Sequence, residues 1–200
     1  MHKAVIPYII AAILTICPFP SLAAPSPTVQ VKQTVETIIL MLKNNDLNKD
    51  TRREKIATLI KERFDFRVMS RRVLAINWKH ATPAQKDRFI SLFTDLLKNT
   101  YMERIEAYTD EKVKFVKEKR RGKKALVDTL IVTESVEIPI RYKVFLKKGE
   151  WLIYDVVIEE VSLTRNYRSS YKEIVKKEGI DGLIIKMEKK INNSEKDKKK

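Results

Sequence analysis

Cysteine, histidine and glycine are scarce in this chain of 200 residues, which has one, two and four of them respectively. A single cysteine, Cys17, excludes a disulfide framework and a cysteine-rich zinc site. Gly122, Gly149, Gly179 and Gly182 are scattered along the sequence, so no glycine-clustered loop can cradle a phosphate. Acid is short too: 26 Asp+Glu against 41 Lys+Arg leave a formal net charge of +15. Beyond the N-terminal segment no uncharged apolar run approaches the ~18 residues that a membrane span requires. What is present is enough apolar side chain, 44% of residues, to build a sizeable core, which excludes disorder throughout.

The N-terminus reads as an export signal. Lys3 precedes an uncharged, mostly apolar run over 4–16, Pro18 and Pro20 break it, and Ser21-Leu22-Ala23-Ala24 supplies small residues. The expected cut follows Ala23, because Pro25 hinders a cut immediately before it. The alternatives are an uncleaved anchor or a lipoprotein held through Cys17, although bulky Ile16 precedes that cysteine where a small residue is wanted. Removing 1–23 takes His2 and Cys17 away and leaves His80 as the one histidine. Cysteine nucleophiles, two-histidine metal sites and most histidine-based triads go with them, so no catalytic or metal-ligating residue is assigned. His80, beside Thr82, reads as a surface helix-end residue.

Three blocks follow. Helical spacing runs through Val31, Val35, Ile38, Ile39 and Leu42 over 28–42. Thr51-Arg52-Arg53-Glu54 fits a capping box opening a second helix, and Phe66, Met69, Val73 and Leu74 make another stripe. Thr82-Pro83-Ala84-Gln85 combines a cap, a proline at the first helical position and a glutamine at the third, and predicts a long helix over 82–107. The period then changes to that of strands at 112–115, 125–133, 137–148 and 150–159, with Gly122 and Gly149 at the turns. The third strand alternates, with Ile138, Ile140, Tyr142, Val144 and Leu146 on one side and Arg141, Lys143 and Lys147 on the other. That predicts one buried and one largely wet sheet face. Pro139 lacks a ladder donor and predicts an edge strand or a bulge there. Helical spacing returns after Ser162, stops at Gly179 and resumes behind a capping Asp181. Residues 24–191 thus form one α+β domain, a helical layer on a curved antiparallel sheet of about four strands. The lysine-rich stretch 192–200 has no apolar residue and reads as a disordered tail.

Several ordered motifs resemble the MlaC (toluene-tolerance) family of periplasmic phospholipid-binding proteins. They are Phe64-Asp65-Phe66-x-x-Met69, Trp78-x-x-Ala81-Thr82-Pro83-x-Gln85 and Leu96-Leu97-x-x-Thr100-Tyr101. Trp151-x-x-Tyr154-Asp155-Val156, Val161-Ser162-Leu163, Asn166-Tyr167-Arg168-Ser169 and Gly179-x-Asp181-Gly182-Leu183 follow in order, so the likeness covers about 28–190. Glu160 departs from it, standing where the family has glycine. The resemblance implies a soluble periplasmic shuttle, monomeric and without cofactor, whose cargo is one phospholipid. Its partners would be an inner-membrane ABC lipid transporter complex and an outer-membrane lipoprotein complex, and its task the maintenance of outer-membrane lipid asymmetry. Elementary physics agrees. Two acyl chains expose about 30 methylenes, which at ~0.8 kcal/mol each cost more than about 20 kcal/mol in water. An enclosed apolar cavity between helices and sheet removes that cost.

Within this frame Phe93, Leu97, Tyr101, Tyr142, Val144, Trp151, Ile153 and Tyr171 are the candidate lipid-lining residues, ordinary core being the other reading for each. Asp155, a carboxylate inside an apolar strand, reads as the partner of Arg168. The alternative is an exported cone-fold enzyme of isomerase or dehydratase type with Asp155 as general base, its pKa raised by burial. Residues 112–124 carry net +7, and Lys117, Lys119, Arg120, Arg121, Lys123 and Lys124 are candidates for docking to an anionic membrane or an acidic partner. A merely solvated hairpin is the other reading. Nucleic acid, the other common use of such charge, does not fit an exported protein.

Overall fold

The computed structural model describes residues 25–108 and 111–197; the expected export signal, with His2 and Cys17, lies outside them. Helix α1 (Pro27–Lys43) starts at Ser26, whose hydroxyl accepts from the Val29 N–H at 3.1 Å, with Pro27 in the first turn. Helix α2 (Lys49–Arg63) is capped by Asn48 and not by Thr51; the Thr51 N–H is itself the donor to Asn48 Oδ1, at 2.9 Å. The expected box therefore sits one turn inside a helix that a better cap has already opened. Helix α3 (Phe66–Leu74) and the single turn α4 (Asn77–His80) lead to α5 (Pro83–Glu106), where the predicted reciprocal bonds between Thr82 and Gln85 are both made. His80 is exposed at the end of α4.

Strands β1 (Lys112–Arg121), β2 (Lys124–Val132), β3 (Glu137–Lys147), β4 (Glu150–Ile158) and the two-residue β5 (Val161–Ser162) form one open antiparallel sheet in chain order. The sheet has five strands where about four were expected, because the chain turns back after Ile158 and pairs Val161 with it. Pro139 lies in a central strand, not at an edge, and the β3–β4 register shift falls between Lys143 and Val144. The proline is tolerated because β3–β4 pairing begins only at Ile140; its carbonyl accepts from the Glu159 N–H at 3.0 Å, just past the end of β4. A donor missing on that side costs no ladder bond.

Helix α6 (Leu163–Asp197) is interrupted at Gly179, whose φ of 72° and ψ of −172° leave the helical region where the sequence predicted a stop. A glycine takes that backbone without the Cβ clash. The described helix then runs through Asn192 to Asp197, into the stretch that composition had assigned to a disordered tail.

The core is in two parts. Met69, Val73, Phe89, Leu92, Phe93 and Leu183 join α3, α5 and α6; Val31, Val127, Val144, Trp151, Ile153 and Leu163 join α1, the inner sheet face and the start of α6. Phe64 and Tyr101 pack against both. The outer sheet face is less wet than expected. Arg141 pairs with Asp128 (2.6 Å), Lys143 with Asp155 (2.9 Å) and Lys147 with Asp65 (2.8 Å).

Candidate functional site

Between the two cores lies a cavity of about 460 Å³, within the roughly 300–1,000 Å³ usual for ligand pockets. The apolar stripe of α1, from Val31 through Val35, Ile38 and Ile39 to Leu42, forms one wall. Ala57 and Ile60 of α2, Phe64 behind it and Leu97, Tyr101 and Met102 of α5 continue it. The floor is the inner sheet face, where Ile138, Ile140, Tyr142, Ile153, Val156 and Ile158 alternate inward from β3 and β4. Two threonine hydroxyls reach this wall, and both are satisfied locally. Thr34 Oγ1 donates to the Gln30 carbonyl at 2.9 Å and Thr94 Oγ1 to the Ile90 carbonyl at 2.8 Å. Burial pushes the Tyr142 phenol up to about 12, against a smaller lowering by its bond with Thr129, so the ring stays neutral. The surface of the cavity is thus mainly carbon.

Of the eight candidate lining residues, Leu97, Tyr101, Tyr142 and Ile153 stand in the cavity wall. Phe93, Val144, Trp151 and Tyr171 are placed elsewhere, in packed core. Phe93 stacks beside Phe89 and meets Tyr167 edge-on at 5.2 Å, while Tyr171 packs edge-on to Phe89, and its phenol too is raised by burial. Val144 is fully buried in the sheet. Trp151 exchanges two bonds with the Gln30 amide (2.8 and 3.1 Å), and its indole N–H donates to the Pro25 carbonyl at 2.9 Å. It ties α1 to the sheet. The α1 stripe was visible in the sequence, but a helix face covering a cavity has the same period as one covering a filled core.

The helix–sheet joint that keeps the space open rests on Asp65. Its backbone N–H donates to the Ile153 carbonyl at 2.9 Å; its carboxylate caps α3 at Val68 and accepts from Lys147. Asp155 fixes the other side. It does not meet Arg168, which is exposed; its oxygens accept from Lys143 Nζ (2.9 Å), Ser162 Oγ (2.7 Å) and the Thr164 N–H (3.1 Å). Burial works to raise its pKa, but the bonds from Ser162, Lys143 and Thr164 outweigh it and hold the carboxyl below its ordinary value. That is the reverse of the raised pKa a poised general base needs. Among the described residues no group of three or more His, Cys, Asp or Glu side chains could hold a metal ion.

The six basic candidates are all exposed, on β1, the Gly122 turn and the start of β2. By register this turn and the β3–β4 turn at Lys148-Gly149 share one end of the sheet. The cavity-lining sheet residues Val113, Ile131, Ile138 and Ile158 lie toward the other end. Arg120 lies over the Trp151 ring, 5.0 Å from its centroid.

Among the described residues, no helix is long and apolar enough to cross a membrane. The family model described as MlaC protein matches residues 32–189. The curated intermembrane phospholipid transport system binding protein MlaC of Haemophilus influenzae is 28% identical over 123 residues, which span 58% of this chain and 58% of that relative's length. A solved structure of a phospholipid-binding protein from Ralstonia solanacearum, in complex with a phospholipid, matches with a TM-score of 0.74 at 20% identity. It covers 83% of this chain and 97% of that one. A likeness at that identity shows the fold.

Proposed function

The chain belongs to the MlaC family, and from that premise we propose that it is a periplasmic phospholipid carrier. It encloses the acyl part of one lipid in the cavity between α1, α5 and the sheet, and exchanges it with outer- and inner-membrane complexes of an Mla-type transport system. Outer-membrane lipid asymmetry is the outcome of that traffic. In this reading 1–23 directs export, the protein needs no cofactor and performs no catalysis, and the basic turn at Gly122 meets an anionic membrane surface. The observation that carries the proposal is the wall itself, mostly carbon on every contributing element, with the Thr34 and Thr94 hydroxyls turned back onto their own helices. Water gains little there and hydrocarbon gains about 25 cal/mol for each Å² it covers. The Haemophilus relative, a binding protein of an intermembrane phospholipid transport system, and the Ralstonia protein, solved with a phospholipid, support the same cargo.

The test is native purification, solvent extraction and mass spectrometry. One phospholipid per protein is the expected result, and none, together with no uptake from vesicles, would overturn the reading. Leu97→Asn, at a buried position in the wall, should lower bound lipid severalfold, a larger loss than its cost in stability accounts for. Val144→Asn, in the core, should instead lower stability by about 2–3 kcal/mol. Equal losses of lipid and stability at Leu97 would mark it as ordinary core.

A further inference from the structure

Helices α2 and α5 flank the cavity without packing closely on one another. What spans the gap is a bidentate pair: Arg53 Nε and Nη2 each donate to a Glu106 carboxylate oxygen at 2.7 Å. Lys61 on α2 and Lys98 on α5 each lie about two helical turns from that pair, and both reach the cavity wall with exposed side chains. Arg104, on the same stretch of α5, is the third cation of the wall; its guanidinium sits 5.7 Å from the centroid of the Tyr101 ring. Lys61 and Arg104 make no ion pair among the described residues, and Lys98 has only the loose contact to Asp95 at 3.9 Å, three residues before it. The one carboxylate among the lining residues is Glu159, beyond the end of β4. The rim of an otherwise apolar cavity is therefore cationic and incompletely neutralised.

We propose that Lys61, Lys98 and Arg104 form a headgroup-selective rim that favours phospholipids of net negative charge over zwitterionic ones. The inference rests on the carrier reading above and adds the class of cargo. Phosphatidylethanolamine and phosphatidylglycerol each bring one phosphodiester anion for which a lysine or arginine is a suitable donor. A phosphatidylethanolamine also brings an ammonium, which three cations and one carboxylate repel more than they attract. A phosphatidylglycerol brings hydroxyls in its place.

The experiment uses delipidated full-length mature protein and an equimolar mixture of phosphatidylglycerol and phosphatidylethanolamine with identical acyl chains. The lipids are supplied in neutral detergent micelles so that affinity of the Gly122 turn for a charged bilayer does not enter. Mass spectrometry of the retained lipid should show phosphatidylglycerol enriched by roughly fivefold, the factor that corresponds to about 1 kcal/mol. In K61Q/K98Q/R104Q the ratio in whatever lipid is retained should return to that of the mixture, and K61R/K98R should keep the enrichment. An equal ratio in the unchanged protein, or enrichment that survives the triple variant, overturns the rim and leaves the carrier standing. No lipid retained by any form overturns the carrier reading and the rim with it.

Discussion

Asp155 shows how one residue can be picked out by sequence and still be misassigned. A carboxylate in the run Trp151-Leu152-Ile153-Tyr154-Asp155-Val156 is conspicuous, but its partner depends on register, and the shift between Lys143 and Val144 decides what faces it. Lys143 does; Arg168, on the first turns of the next helix, does not. The pair is part of a buried junction, so Asp155→Asn strands a largely buried ammonium and should cost about 3–5 kcal/mol in a denaturant titration. Its pH dependence follows from the lowered pKa. The stabilisation is fully present above the ordinary aspartate value of about 4 and is lost as pH falls through the lower folded value. The Asn variant should lack that part of the acid-side decline. An enzyme that used Asp155 as its base would instead give a variant of full stability and no turnover.

At the scale of elements, the strongest local chemistry was legible. The Thr82–Gln85 box, the long helix behind it and the glycines of positive φ at 122, 149 and 179 all stand where their residue types demand. Competition between neighbouring signals was not legible: Asn48 captures the start of α2 from Thr51, and the end of β4 accommodates Pro139. The turn between β4 and β5 carries a cost. Glu159 and Glu160 both hold positive φ, 47° and 62°, in a region where a side chain is disfavoured by about 1–2 kcal/mol. Glu160→Gly should relieve that strain net of the entropy glycine adds, stabilising the protein by about 1 kcal/mol. In a thermal melt this is a rise of about 2–4 °C, and a fall would mean that the turn is unstrained.

The whole molecule is a helical layer and a sheet held apart. Among the described residues Phe64 and Tyr101 pack against both of its cores, and the space between the cores is the candidate site. That division explains why Leu97, Tyr101, Tyr142 and Ile153 border the space while packing on a core, whereas Phe93, Val144, Trp151 and Tyr171 lie in core alone. Amphipathic period tells which face of an element is covered, and says nothing of what covers it. The family motifs, by contrast, turn out to be the joints of the frame: Asp65 joins α3 to β3 and β4, Trp151 joins α1 to β4, and Ser162 joins β5 to Asp155. The net charge is likewise concentrated, with six exposed cations around one sheet turn. Sedimentation with anionic vesicles should therefore be salt-sensitive and should be lost when those six become glutamine, at about 1 kcal/mol per cation removed. Binding that ignores salt, or that persists in the neutral variant, would assign the contact to another surface.

The free edge of β1 has a different consequence. Among the described residues this ten-residue strand has one side unpaired, and such an edge is a template onto which another chain can add. Here the ladder slips between Phe115 and Lys117, around an exposed Val116, and beyond the slip the strand is dense with lysine and arginine. A kinked edge of like charge repels its own copies. The same residues that would draw the protein to a membrane thus also guard it against aggregation, so neutralising them should make it stickier to itself even as it lets go of lipid surfaces.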